Sequence, residues 1–137
     1  MSVSLYPDVG LTSILQTLLI AAENGNAQLR LYKAAHVPTG ADVLATYTAI
    51  ECGYPGYAEQ TLDGYPPVTV AANVASATWA TVTFTSTGVG TDQAFGWFLT
   101  LGSTILYAAG QFPLPVGMYA AGDWLSLTLT QTLQNAA

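Results

Sequence analysis

The spacing of apolar residues along the chain changes once, from a helical repeat to an alternation of period two. Leu11, Ile14, Leu15, Leu18 and Leu19 recur at i, i+3, i+4, i+7 and i+8, a single stripe at the helical period. Asp8 stands ahead of the stripe as a cap and Asn24-Gly25-Asn26 follows it as a stop, which predicts a helix over 9–22. From residue 28 onward the alternation of strands takes over.

Residues 28–33 alternate polar with apolar and carry both bases, Arg30 and Lys33. His36 to Gly40 reads as a loop, and Thr39 with Asp42 as the opening of a short helix over 41–45. Alternation resumes over 47–51, the dense turn chemistry of 53–57 follows, and 57–62 reads as a strand that reverses at Asp63-Gly64. Further strands are expected over 68–70, 79–85, 95–101 and 104–108, all rich in β-branched and aromatic residues, with Gly102-Ser103 as a tight hairpin turn. In the 79–85 run, Val82 and Phe84 share one face and Thr81, Thr83 and Thr85 the other. Pro113 and Pro115 rule out a central strand at 112–117. Gly122-Asp123 then turns the chain into a last strand over 124–133, in which Leu125, Leu127 and Leu129 alternate with Ser126, Thr128 and Thr130.

These elements predict a mainly β fold, an antiparallel β-sandwich or jelly-roll-like barrel with one N-terminal amphipathic helix and a short second helix. The length of 137 residues fits one domain over 1–137, with the helix at 9–22 and a β-rich body over 27–133.

Composition changes the picture through charge. Hydrophobic residues make up 51%, enough for a core, but only 7% are charged, against roughly 25% in an average soluble domain. The net charge is −6. Thr, Ser, Gln, Asn, Ala and Gly must therefore cover the outside, a surface suited to packing among copies or against other protein. Two bases are too few to hold a phosphate backbone or an anionic bilayer, so neither nucleic acid nor membrane is an expected partner. The most apolar run, 11–22, is shorter than the roughly 20 residues a spanning helix needs. No positively charged secretory leader is visible, so synthesis in the cytoplasm is expected.

Candidate chemistry is sparse. Cys52, the single cysteine, allows no intrachain disulfide and reads as a buried thiol. One histidine, His36, makes no zinc set with ligand spacing. Glu51 and Glu59 are placed to approach each other across neighbouring strands, as a glycosidase pair requires, although solvated side chains are the plainer reading. Gly88-Val89-Gly90 lacks the lysine and helix of a phosphate loop. No catalytic residue, metal ligand or cofactor-binding residue is therefore assigned. Trp79, Trp97 and Trp124 fall in strands and read as core, whereas Tyr54, Tyr57 and Tyr65 fall in turns and carry the mixed character of interface residues. With Leu114 and Val116 they form the candidate contact set, for subunit packing first and for a sugar second.

The order of motifs resembles a group of small proteins encoded among the structural genes of tailed bacteriophages. The matching elements are the leucine-rich 15–19, Leu31-Tyr32-Lys33, Pro38-Thr39, Gly56-Tyr57 with Gln60-Thr61-Leu62, Trp79, and Gly122-Asp123-Trp124-Leu125, spanning nearly the whole chain. Cys52-Gly53-Tyr54-Pro55 lengthens the turn before Gly56, a departure from the pattern. The resemblance implies a non-catalytic virion protein: a capsid decoration (cement) protein first, a tail or fibre-base component second, homo-oligomeric and in contact with the major capsid or another virion protein. A carbohydrate-binding module for host recognition is the expectation from a different class.

Overall fold

A computed structural model describes residues 27–62, 67–102 and 104–134. The helix expected over 9–22, the reversal at Asp63-Gly64 and Tyr65 lie outside the described residues. The rest is mainly β. In chain order the described elements are β1 (Ala27–Tyr32), α1 (Leu44–Thr48), β2 (Gln60–Thr61), β3 (Thr69–Ala71), β4 (Val74–Thr78), β5 (Val82–Thr85), β6 (Gln93–Leu101), β7 (Ile105–Gly117), β8 (Trp124–Leu127) and β9 (Thr130–Gln134).

One antiparallel sheet has the order β2-β1-β6-β7. Its centre is the long β1–β6 pairing, in which Leu29 faces Leu99 and Leu31 faces Trp97. Alternation turns Ala27, Leu29 and Leu31 to one side, where all three are buried. Tyr32 and Phe98, next along each strand, point to the opposite face and pack with Tyr47 of α1 in a second, smaller cluster. Gly96 sits opposite Tyr32, and a Cβ there would run into the Tyr32 ring and the Gly110 carbonyl oxygen, so the position requires glycine.

The remaining strands make a second set of antiparallel ladders, β3-β4-β9 and β5-β8. They are two stretches of one pairing. Thr78 faces Thr130 and Val82 faces Leu127, so three residues, 79–81, lie opposite two, 128–129. The extra residue is a β-bulge, and it reverses the phase of the strand. Before it the odd positions Ala75, Ala77 and Trp79 are buried; after it the even positions Val82 and Phe84 turn inward. A single strand over 79–85, as expected from the sequence, would have put Trp79 outside with Thr81 and Thr83. The bulge puts its indole in the core instead. The inward residues of β4, β5, β8 and β9 share one cluster with those of β1 and β6.

Several expectations are corrected. The short helix starts at Leu44 rather than Ala41, because Asp42 closes a turn on Thr39 before the helix begins. The strand expected over 47–51 reduces to one bridge between Tyr32 and Glu51, since Tyr47 and Thr48 belong to α1. The strand expected over 57–62 spans only β2. A strand not anticipated, β4, is reached through a two-residue turn at Ala72 and Asn73, both with positive φ. Pro113 and Pro115 do not end a strand: β7 runs through them. It is an edge strand, and between the pairs Ala94–Val116 and Gly96–Gln111 four residues, 112–115, stand opposite Phe95 alone. The prolines sit in this wide bulge, where no ladder donor is missed.

Candidate functional site

Three loops meet at one end of the described fold and are tied by backbone hydrogen bonds. Thr87 N–H donates to the Pro55 carbonyl at 2.9 Å, Gly90 N–H to Tyr119 at 2.9 Å, and Gly122 N–H to Ser86 at 2.8 Å. Asp123 fixes the third loop from within: its Oδ2 accepts from the N–H groups of Tyr119 and Ala120, each at 2.9 Å. Gly122 supplies the positive φ (92°) the turn needs. On this bonded frame stand Val89, Tyr119 and Trp124, which are 87%, 44% and 66% exposed. Three large apolar groups exposed at one bonded end of the fold make it a candidate contact region.

A second exposed apolar group stands at the sheet edge. The bulge 112–115 of β7 holds Leu114 at 77% exposure between its two prolines. Phe112 and Val116, on either side, pack back against the core.

Of the contact residues expected from the sequence, Tyr54 is 3% exposed and offers no area to a partner. Its ring stands edge-on to Tyr57 with centroids 5.2 Å apart. Tyr57 is half-buried and serves as an internal brace: its hydroxyl accepts from Leu31 N–H at 3.1 Å and donates to Glu51 Oε1 at 2.8 Å. Val116 is half-buried, Leu114 is exposed, and Tyr65 lies outside the described residues. Trp124, expected in the core, is outside. The signal was in the sequence, because Trp124 is in phase with Ser126, Thr128 and Thr130 and out of phase with the leucines. Tyr119 and Val89 carried no comparable periodic signal.

The ionisable groups are bonded into the fold. Asp42 Oδ2 takes hydrogen bonds from His36 Nε2 (2.8 Å), Tyr47 Oη (2.7 Å) and Thr39 N–H (2.9 Å), while Oδ1 takes one from Thr39 Oγ1 (2.9 Å). These donors, led by His36, hold the Asp42 carboxyl well below the usual carboxylate range. Burial, followed by the hydrogen bond to Asp42, pushes the Tyr47 hydroxyl upward. The rings of His36 and Tyr47 meet edge-on at 5.4 Å, and Tyr47 stacks on Phe98 at 5.3 Å, so this node pins the 36–48 segment to the sheet.

Glu51 and Glu59 do come to one place, but onto the guanidinium of Arg30, at 3.5 and 3.1 Å. Lys33 pairs with Asp92 at 3.8 Å, and Asp92 also accepts from Gly53 N–H at 2.7 Å. Cys52 is buried, and desolvation, then the Asp92 charge, pushes its thiol up to about 12. A half-open cavity of about 160 Å³ is lined by Thr61, Leu62, Trp79, Ala80 and Val82. It is smaller than the roughly 300–1,000 Å³ of ordinary ligand pockets. Among the described residues no three His, Cys, Asp or Glu side chains gather as a metal site, and no helix is long and apolar enough to cross a membrane. Comparison with known protein families, with curated proteins and with solved structures gives no match to this chain.

Proposed function

We propose that the chain is a non-catalytic structural protein that works by packing, an antiparallel β-sandwich that decorates a phage capsid as an oligomer, with a tail or fibre base as its second station. The observation that carries this reading is Leu114, held 77% exposed at a sheet edge between two prolines. Proline fixes φ, so the bulge loses little conformational freedom when it docks, and an apolar knob that is ordered in advance is a good anchor. The wide bulge also interrupts the edge of β7 and so discourages indiscriminate strand pairing.

Two further features support it. Only 7% of residues are charged, so most of the outer surface can meet another protein without stripping water from many ions. The order of motifs resembles that of small structural proteins of tailed phages. Each contact would be modest, and many copies on a shell would add through multivalency. The expected partners are further copies of the chain and a major capsid or other virion protein, with no role for nucleic acid, membrane or cofactor.

Sedimentation velocity of the purified chain over a range of concentrations, with and without capsid shells, tests the proposal. Concentration-dependent oligomers, or co-sedimentation with shells, are expected. A monomer at every concentration that ignores the shells would overturn it.

A further inference from the structure

We propose that Trp124 and the hydroxyl ladder beside it bind an uncharged carbohydrate. Trp124 opens β8 opposite Thr85, on the outward face. Along that face the hydroxyls pair across the strands: Thr83 with Ser126 at 2.7 Å, and Thr81 with Thr128. Within each pair one hydroxyl donates to the other, which leaves one O–H donor and several lone pairs pointing to solvent. An exposed indole flanked by such groups matches a pyranose ring, which has a C–H face to stack and equatorial hydroxyls to exchange hydrogen bonds.

Charge complementarity selects the ligand class. Residues 81, 83, 85, 124, 126 and 128 carry no ionisable side chain, and Asp123 next to them is spent on the Tyr119 and Ala120 amides. A nucleic acid would find an aromatic platform but no cation for its phosphates, and an acidic polysaccharide would meet the same lack. A neutral sugar polymer leaves nothing unpaired on either side. The platform is also ordered beforehand. Ser86 N–H donates to the Asp123 carbonyl at 2.8 Å, anchoring the residue before Trp124 to the end of β5.

The test uses the full chain in native affinity gels cast with dextran, laminarin, xylan or galactomannan, with polygalacturonate as the anionic control, alongside tryptophan emission. At least one neutral polymer should retard the wild type and shift its emission to the blue, and polygalacturonate should do neither. Trp124→Ala should weaken binding about 5- to 150-fold, as expected for loss of a stacking ring. Trp124→Phe should retain part of the affinity, and Leu114→Ser should bind as the wild type does, which separates this site from assembly. Because Trp124 is exposed, Trp124→Ala should melt with the wild type, and that measurement guards against loss of fold. Unretarded wild type on every neutral polymer overturns the proposal, as does a Trp124→Ala variant that binds equally well. So does a Trp124→Ala variant whose only change is weaker self-association, which would make this face a contact between copies.

Discussion

Replacing Leu114 with serine removes an apolar side chain that rests on almost nothing in the isolated subunit, so its effect should fall on association and not on folding. Burying a leucine side chain fully is worth about 1.5–3 kcal/mol. With 77% of Leu114 still exposed in one subunit, docking can add about 1.2–2.3 kcal/mol. At about 1.4 kcal/mol per factor of ten, Leu114→Ser should weaken each contact about 7- to 45-fold. In a two-fold interface each copy buries its own Leu114, and the loss counts twice. Sedimentation velocity at matched concentrations reads this as a shift of the oligomer–monomer midpoint. Thermal melts at a concentration where both proteins are monomeric should agree within about 0.5 kcal/mol, the usual range for an exposed substitution. A variant that assembles like the wild type would show that the knob is not in the contact, and one that unfolds would show that Leu114 is not exposed as described.

Three further outcomes follow from the interior. Gly96→Ala pushes a methyl into the Tyr32 ring and the Gly110 carbonyl and breaks the 2.9 Å bond from Tyr32 Oη to the His36 carbonyl; denaturant titration should show a loss of about 2–4 kcal/mol. The Asp42 carboxyl is lowered in the folded state, so its stabilising share is complete above the unfolded value near 4 and is lost as pH falls toward the lower folded value. Asp42→Asn should therefore flatten the fall in melting temperature between about pH 5 and 2, and an unchanged acid slope would remove Asp42 from that role. With its thiol pushed up to about 12 and buried, Cys52 should react with a disulfide reagent at pH 8 far more slowly than a free thiol and at the normal rate once unfolded; fast native labelling would contradict its burial.

What could be read from the sequence depended on whether the period stayed in phase. β1 and the β8–β9 run could be read because their leucines keep strict alternation, and the outward position of Trp124 was already contained in that phase. Trp79 lies in the core, as its residue type suggests, but the alternation of 79–85 alone would turn it outward; the bulge that reconciles the two shifts the register by one residue, and nothing local announces it. β4 was missed for a related reason: its hairpin turn uses Ala72 and Asn73, and alanine at positive φ is not a turn signal. Turn-rich sequence suggests surface for Tyr54 and Tyr57, whereas Tyr54 is buried in the core and Tyr57, half-buried, packs against it. The Asp42 node joins residues 36, 39, 42 and 47, and only the folded loop shows that one carboxylate serves all of them.

The low charge of this chain takes on a sharper meaning once the partners are known. Arg30 is held by Glu51 and Glu59, Lys33 by Asp92, Asp42 by His36 and Tyr47, and Asp123 by two backbone amides. Each of the seven charged residues within the described residues is thus bonded to another part of the chain, although Lys33 and Glu59 remain partly exposed. The described residues set two bases against five acids, so the long-range field is weakly negative, and the contacts proposed above act at short range. Two exposed groups on separate parts of the fold are the ones proposed for such contacts, an apolar knob between prolines and an indole beside hydroxyls.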